Sequence, residues 1–242
     1  MYSWKTIRAF CAMLLLLPLI HLAILVTRES LATSNASPLA WQSEVDRYIR
    51  EDDRSSLPAK PIVVIGGRRA SLWPHLEATV SPMPVLVRSV GNATVDDFIH
   101  YHERLVSFYR PAAVVLLPGP SEFHLRASHN AEQLSTSIQR LVTLDTRLSS
   151  RSRFYVFAPI RSPLQTGDWP TINAVITQLS DWGMDHPSFE LIDPNPLLAG
   201  ADGKPDSTFF RSGGVHLNPA GYLRLDLLLR QALREDFPAK FP

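Results

Sequence analysis

Near the end of the chain stands Phe210-Arg211-Ser212-Gly213-Gly214-Val215-His216-Leu217-Asn218-Pro219-Ala220-Gly221-Tyr222, a glycine-containing loop that runs into a helix. Asn218 is a good N-cap and Pro219 suits the first helical position, so His216 falls just ahead of a helix start. A histidine in such a loop titrates near neutrality and can serve as a general base. Upstream, three short apolar runs end in glycine: Gly66-Gly67, Gly91 after Val90, and Gly119 between Pro118 and Pro120. Each alone is ordinary turn chemistry. Together with the histidine loop they form a set on one edge of a sheet, where a crevice would lie.

The elements that hold these residues alternate. Apolar runs rich in β-branched or aromatic residues predict five strands, at 61–65, 84–88, 112–117, 154–158 and 189–192. Between them run helical patterns. Thr94 caps a segment carrying Val95, Phe98, Leu105 and Phe108 on one face. Residues 130–148 carry Leu134, Ile138, Leu141 and Leu148, and residues 169–182 carry Ile172, Ile176 and Leu179. The last helix carries Leu225, Leu228, Leu229 and Ala232. Continuous apolar strands joined by helices predict an α/β fold, with a parallel sheet covered on both faces and ligands at the C-terminal strand ends.

Composition excludes several function classes. The chain has 242 residues, is 45% hydrophobic and 19% charged, and carries a net charge of +1, which gives no support to nucleic-acid binding. The only cysteine is Cys11, so the rest of the chain offers no disulfide, thiolate chemistry or cysteine zinc site. Residues 10–26 hold no charge; Lys5 and Arg8 precede them, while Arg28 and Glu29 nearly cancel after them. This asymmetry predicts a cytoplasmic N-terminus and a domain on the extracytoplasmic side. As a helix the run spans roughly 25 Å, against about 30 Å for a hydrocarbon core. Pro18 and His21 weaken it, and small residues at Ala32, Ser34 and Ala36 would permit signal-peptide cleavage. Its length exceeds the usual apolar region of a signal peptide, so the expectation is an uncleaved signal anchor. The expected organisation is therefore 1–9 cytoplasmic, 10–26 transmembrane, 27–60 a polar tether and lead-in with a short helix at 41–51, and 61–242 the folded domain.

From residue 61 onward the chain resembles the SGNH (GDSL) hydrolase superfamily. Four blocks carry the resemblance: IleGlyGlyArgArgAlaSerLeuTrpPro at 65–74, ArgSerValGlyAsnAlaThr at 88–94, LeuLeuProGlyProSerGlu at 116–122, and GlyGlyValHisLeuAsnProAlaGlyTyr at 213–222. The resemblance implies a three-layer α/β/α, flavodoxin-like fold with a five-stranded parallel sheet. It also implies a serine that attacks an acyl group, a histidine base, and an aspartate three residues before that histidine. An oxyanion hole is implied as well, built from the serine N–H, a second-block glycine N–H and a third-block asparagine. Carried over by position, the nucleophile is Arg68, the oxyanion asparagine is Ser121 and the orienting aspartate is Gly213; His216 alone is retained. The backbone donor falls on Gly91 or Asn92. A guanidinium cannot accept an acyl group. Ser71, one turn farther on, is expected to point away from the crevice or along the helix. Ser121 is the alternative nucleophile for His216, with Glu122 or Asp206 as the acid.

The sequence thus reads as a membrane-anchored, catalytically degenerate domain. Its partner would be an anionic or acylated envelope glycan, or a protein, with Arg68, Arg69, Gly91, Asn92 and Ser121 lining the site. Arg68 at a helix start, helped by Arg69, is expected to attract a carboxylate or phosphate; the alternative has Arg68 in solvent or paired with Glu122. Two other readings stay open: an active acylhydrolase or carbohydrate esterase using Ser121 and His216, and an assembly protein with a vestigial pocket. No cofactor is expected. His75, His100, His102, His124 and His129 lack metal-ligand spacing, His100 and His102 falling on different sides of a helix. Asp96 and Asp97 are expected to compensate a helix dipole.

Overall fold

The computed structural model describes residues 37–124, 127–148 and 152–241, together with 4, 8, 13, 14 and 16–24. Among the described residues no helix is long and apolar enough to cross a membrane. The anchor expected at 10–26 lies partly outside those residues, and the tether from 27 to 36, with Ala32, Ser34 and Ala36, lies wholly outside them.

Residues Ser37–Pro242 form one compact unit. Its helices and strands in chain order are α1 (Gln42–Asp52), β1 (Ile62–Gly66), α2 (Arg68–Ser71), α3 (Leu76–Val80), β2 (Val85–Ser89), α4 (Val95–His100), α5 (His102–Leu105), β3 (Ala113–Leu117), α6 (Ala131–Leu148), β4 (Arg153–Phe157), α7 (Trp169–Gly183), β5 (Phe189–Ile192) and α8 (Pro219–Asp236). The five strands form one sheet in the order β2-β1-β3-β4-β5, and every pairing is parallel.

Successive strand residues point to opposite faces, and here both faces are buried. Val63, Ile65, Val114, Leu116, Phe154 and Val156 pack with Val45 of α1, Phe98 of α4, Ile138 of α6 and Val175 of α7. Ile62, Val64, Val115, Leu117, Tyr155 and Phe157 pack against Trp73, Leu76 of α3, and Leu225 and Leu229 of α8. The result is the expected three-layer α/β/α sandwich. Gly66 pairs with both Ser89 and Leu117, so three strands end in line and their following loops emerge side by side.

Two local features depart from the expectations. The lead-in helix α1 belongs to the compact unit, which begins at Ser37 rather than near residue 61. It is tied to β2 by Tyr48, whose hydroxyl donates to the Ser89 carbonyl at 2.7 Å, and by Asp52, which pairs with Arg88 at 2.7 Å. The single helix expected from Thr94 through Phe108 is broken into α4, α5 and a 3-10 turn at Ser107–Tyr109. The break at Tyr101 lets His102 turn inward onto Asp145 of α6 at 3.0 Å and leaves Phe108 exposed instead of on an apolar face.

Candidate functional site

The first loop follows β1. Gly67 caps the four-residue α2, and a Cβ there would lie 3.1 Å from the Gly91 carbonyl and 3.4 Å from that of Ala93. The Ser89 hydroxyl donates to the Gly67 carbonyl at 3.1 Å. First and second loops are therefore in direct contact. In the second loop Gly91 has φ +25, and an added Cβ would sit 2.4 Å from the Trp41 ring, so only glycine fits. Its N–H donates to Glu44 of α1 at 3.0 Å. Gly91 is thus engaged by the lead-in helix, whereas the Asn92 N–H has no backbone or side-chain partner among the described residues.

The third loop places buried Ser121 against the second, with its hydroxyl 3.5 Å from the Ala93 carbonyl. The fourth is a small hairpin: Phe210 bridges Leu217, and the Arg211 N–H donates to the His216 carbonyl at 2.8 Å. Ser162, after β4, fixes its tip by donating to the Gly214 carbonyl at 2.7 Å. Asn218 caps α8 as expected, accepting from the Gly221 N–H at 3.0 Å, while its amide donates to the carbonyls of Thr208 at 2.7 Å and Phe210 at 3.2 Å. Two loops are joined by Arg69, whose guanidinium donates to the Pro118 carbonyl at 3.4 Å and to the Val215 carbonyl at 3.1 Å.

Arg69 is therefore not an exposed partner of Arg68. It is 2% exposed, its Nε has no partner, and burial depresses its pKa to about 10. Arg68 is exposed and makes no ion pair with Glu122. Glu122 is 1% exposed; it accepts from the Val95 N–H at 2.9 Å and contacts His129 at 3.2 Å, and burial holds its pKa up. With α2 only four residues long, a helix dipole is a weak reason for anion binding there.

His216 is half-buried, and its buried Nδ1 has no partner. Burial lowers its pKa first, and Arg69, Arg68 and Arg211 lower it further, so the ring is neutral at neutral pH. Neither expected acid reaches it. Glu122 is committed to His129, and Asp206 accepts from the Thr208 N–H at 2.8 Å. No serine hydroxyl bonds to it among the described residues: Ser121 is turned to Ala93, and Ser71 donates along its own helix to the Arg68 carbonyl at 2.9 Å. Gly213 is exposed; a Cβ there would meet nothing within 4 Å.

The remaining histidines have protein partners or face solvent. His102 joins Asp145 and Ser107, each at 3.0 Å; His124 contacts Asp168 at 2.8 Å; His75 and His100 are exposed. Among the described residues no group of three or more His, Cys, Asp or Glu side chains is placed to hold a metal. Asp97 closes a capping box with Thr94 and accepts from the Trp41 indole at 3.1 Å, so it does more than offset a dipole.

His129 lies between Asp96 at 3.3 Å and Glu122 at 3.2 Å, which raise its pKa to about 9 from 6.5. Because the folded value exceeds the unfolded one, the stability from this cation is fully present below about pH 6.5. It is lost as pH rises through about 9. Urea unfolding should therefore show stability falling across that window in the wild type, and a flatter profile for His129→Gln.

Sequence reasoning missed Glu44, Trp41 and Arg211. Glu44 and Trp41 stand in the segment 41–51, whose spacing signals a helix but not its contact with Gly91. Arg211 borders the histidine block, and only the hairpin pairing reveals its place.

No family model matches the chain, and no curated protein matches it. Solved structures do. A GDSL-like lipase from Bacteroides thetaiotaomicron superposes with a TM-score of 0.68 at 16% identity, covering 80% of this chain and 98% of that one. The lipase/acylhydrolase from Enterococcus faecalis gives 0.59 at 16% identity, covering 73% and 96%. An acetyl esterase mutant, described with an acetate ion, gives 0.58 at 14% identity, covering 75% and 99%.

Proposed function

We propose that this chain, whose fold is that of the SGNH (GDSL) hydrolases, is a membrane-tethered domain that binds an envelope ligand in its crevice and does not hydrolyse it. The observation that carries the reading is at the start of α2, where an exposed guanidinium, Arg68, follows Gly67 at the position that the resemblance gives to the nucleophile. A permanently charged guanidinium forms no acyl-enzyme. The surrounding chemistry agrees. Among the described residues His216 has no acidic partner to fix its tautomer, and no hydroxyl is bonded to it. The Gly91 N–H, one of the two backbone donors considered, is already spent on Glu44.

A binding role is supported by what is kept. The loops are fixed by hydrogen bonds such as Ser89 to Gly67 and Ser162 to Gly214, and the Asn92 N–H has no partner among the described residues. The acetyl esterase mutant of the same fold is described with an acetate ion, which makes a small oxyanion a reasonable occupant here. Activity through Ser121 is disfavoured by its bond to the Ala93 carbonyl, which turns the hydroxyl toward the second loop. Ester hydrolysis by the full-length chain in detergent tests the proposal: turnover that disappears in Ser121→Ala would replace it with a rerouted esterase.

Tethering rests on the uncharged stretch 10–26, with Lys5 and Arg8 on its N-terminal side. Protease added to intact spheroplasts should digest the folded domain. Full protection would contradict the extracytoplasmic placement, and recovery of a soluble exported form beginning near residues 34–37 would show that the anchor is cleaved.

A further inference from the structure

We infer that the ligand of this crevice is anionic, and that a carboxylate or phosphate oxygen set is held at the rim between Arg68 and Arg211, beside His216 and above the buried charge of Arg69. This rests on the reading of the crevice as the binding site and names the chemistry it would select.

Arg69 is nine-tenths buried and more, yet its guanidinium meets only two carbonyl oxygens, and its Nε is unmatched. Carbonyl dipoles satisfy some N–H groups but do not neutralise a desolvated cation. Arg88 shows the alternative within the same molecule: also buried, it is paired with Asp52 at 2.7 Å. No carboxylate lies within ion-pair distance of Arg69 among the described residues, and Glu122, the nearest acid in sequence to the third loop, is held by His129.

Geometry then places more positive charge at the same rim. Arg68 adjoins Arg69, is exposed, and has no side-chain partner among the described residues. Arg211 pairs its backbone with His216 across the hairpin; it is exposed, and only its Nε is used, donating to the Leu217 carbonyl at 3.2 Å. Arg69 reaches the carbonyl of Val215, the residue before His216. Arg69 thus bonds to the loop that carries His216, Arg211 belongs to that loop and Arg68 adjoins Arg69, and among the described residues none of the three has a carboxylate partner; all three act to lower the pKa of His216. Two exposed forks with free N–H groups suit the paired oxygens of a carboxylate or phosphate. Charges facing a shared cleft reinforce one another more than isolated surface arginines do.

The test uses the full-length chain in detergent, titrated calorimetrically with inorganic phosphate and, separately, with glucuronate, with glucose as the uncharged control. Saturable binding of one or both anions is expected, and none of glucose. The arm that binds tells phosphate from carboxylate ligands. Arg68→Gln and Arg211→Gln, both at exposed positions, should each weaken binding by roughly tenfold. Arg50→Gln, on an exposed face of α1, should change nothing. The His216 ring resonance should titrate at higher pH with saturating anion than without.

Absence of saturable binding by the wild type to both anions would overturn the inference. So would unchanged affinity in both crevice variants, since binding would then lie elsewhere. Ester turnover by the wild type together with anion binding that requires Arg68 and Arg211 would refute the non-hydrolytic reading while leaving this one standing.

Discussion

Arg68→Ser alone leaves ester hydrolysis at the level of the buffer blank, whereas Arg68→Ser combined with Ser121→Asn and Gly213→Asp raises it on the order of a hundredfold or more. The sizes follow from how such groups cooperate. Loss of a serine nucleophile costs about a millionfold in turnover, and the remaining members of the set contribute little without it. A restored serine at 68 would still face a neutral, unoriented His216 whose Nδ1 has no acceptor. Asparagine at 121 returns a side-chain donor to the oxyanion, a contribution of roughly 10²-fold or more in turnover. Aspartate at 213 is sterically permitted, because a Cβ there meets nothing within 4 Å and Gly214, not Gly213, takes the left-handed conformation at φ +63. Initial rates with p-nitrophenyl acetate and labelling by a fluorophosphonate probe measure the outcome. A single Arg68→Ser variant as active as the triple would mean that the other two positions are dispensable.

Asp52→Ala is the substitution with the largest expected effect on stability, a loss of about 3–5 kcal/mol. Arg88 is 7% exposed, lies over the rings of Tyr48 and Tyr109 at 4.9 and 4.5 Å, and donates to the Tyr109 hydroxyl and to Asp52, each at 2.7 Å. Removing the carboxylate strands that guanidinium in an apolar slot and also deprives the Tyr109 hydroxyl of an acceptor. Arg88→Met on top of Asp52→Ala should recover much of the loss, because no charge is then left buried. Urea denaturation measures both. A loss under about 1 kcal/mol, the range of a surface pair, would indicate that α1 is not fastened to the sheet as described.

Much of this architecture was legible before any coordinates. The runs at 62–65 and 113–117 are apolar at every position, which suits strands buried on both faces, and Asn218-Pro219 marks the start of α8 by local chemistry alone. Helix caps and strand runs are local signals. What escaped was long-range. That Glu44 bonds to the Gly91 N–H, a contact across 47 residues, is decided by how α1 packs and not by any spacing. Arg69 looked like a second surface cation because its neighbour is exposed, yet one residue along a short helix is enough to turn a side chain from solvent into the core. The two acids offered to His216 were plausible by position. Glu122 was already claimed by His129 and the Val95 N–H, partners that no motif announces.

Whether the crevice does acyl chemistry is decided by p-nitrophenyl acetate turnover of the full-length wild type in detergent, side by side with His216→Ala. The two rates should equal each other and the detergent blank, because Arg68 offers no nucleophile and His216 activates none. Turnover by the wild type above that blank, abolished in His216→Ala, would contradict the non-hydrolytic reading and make this protein an esterase that has found another serine.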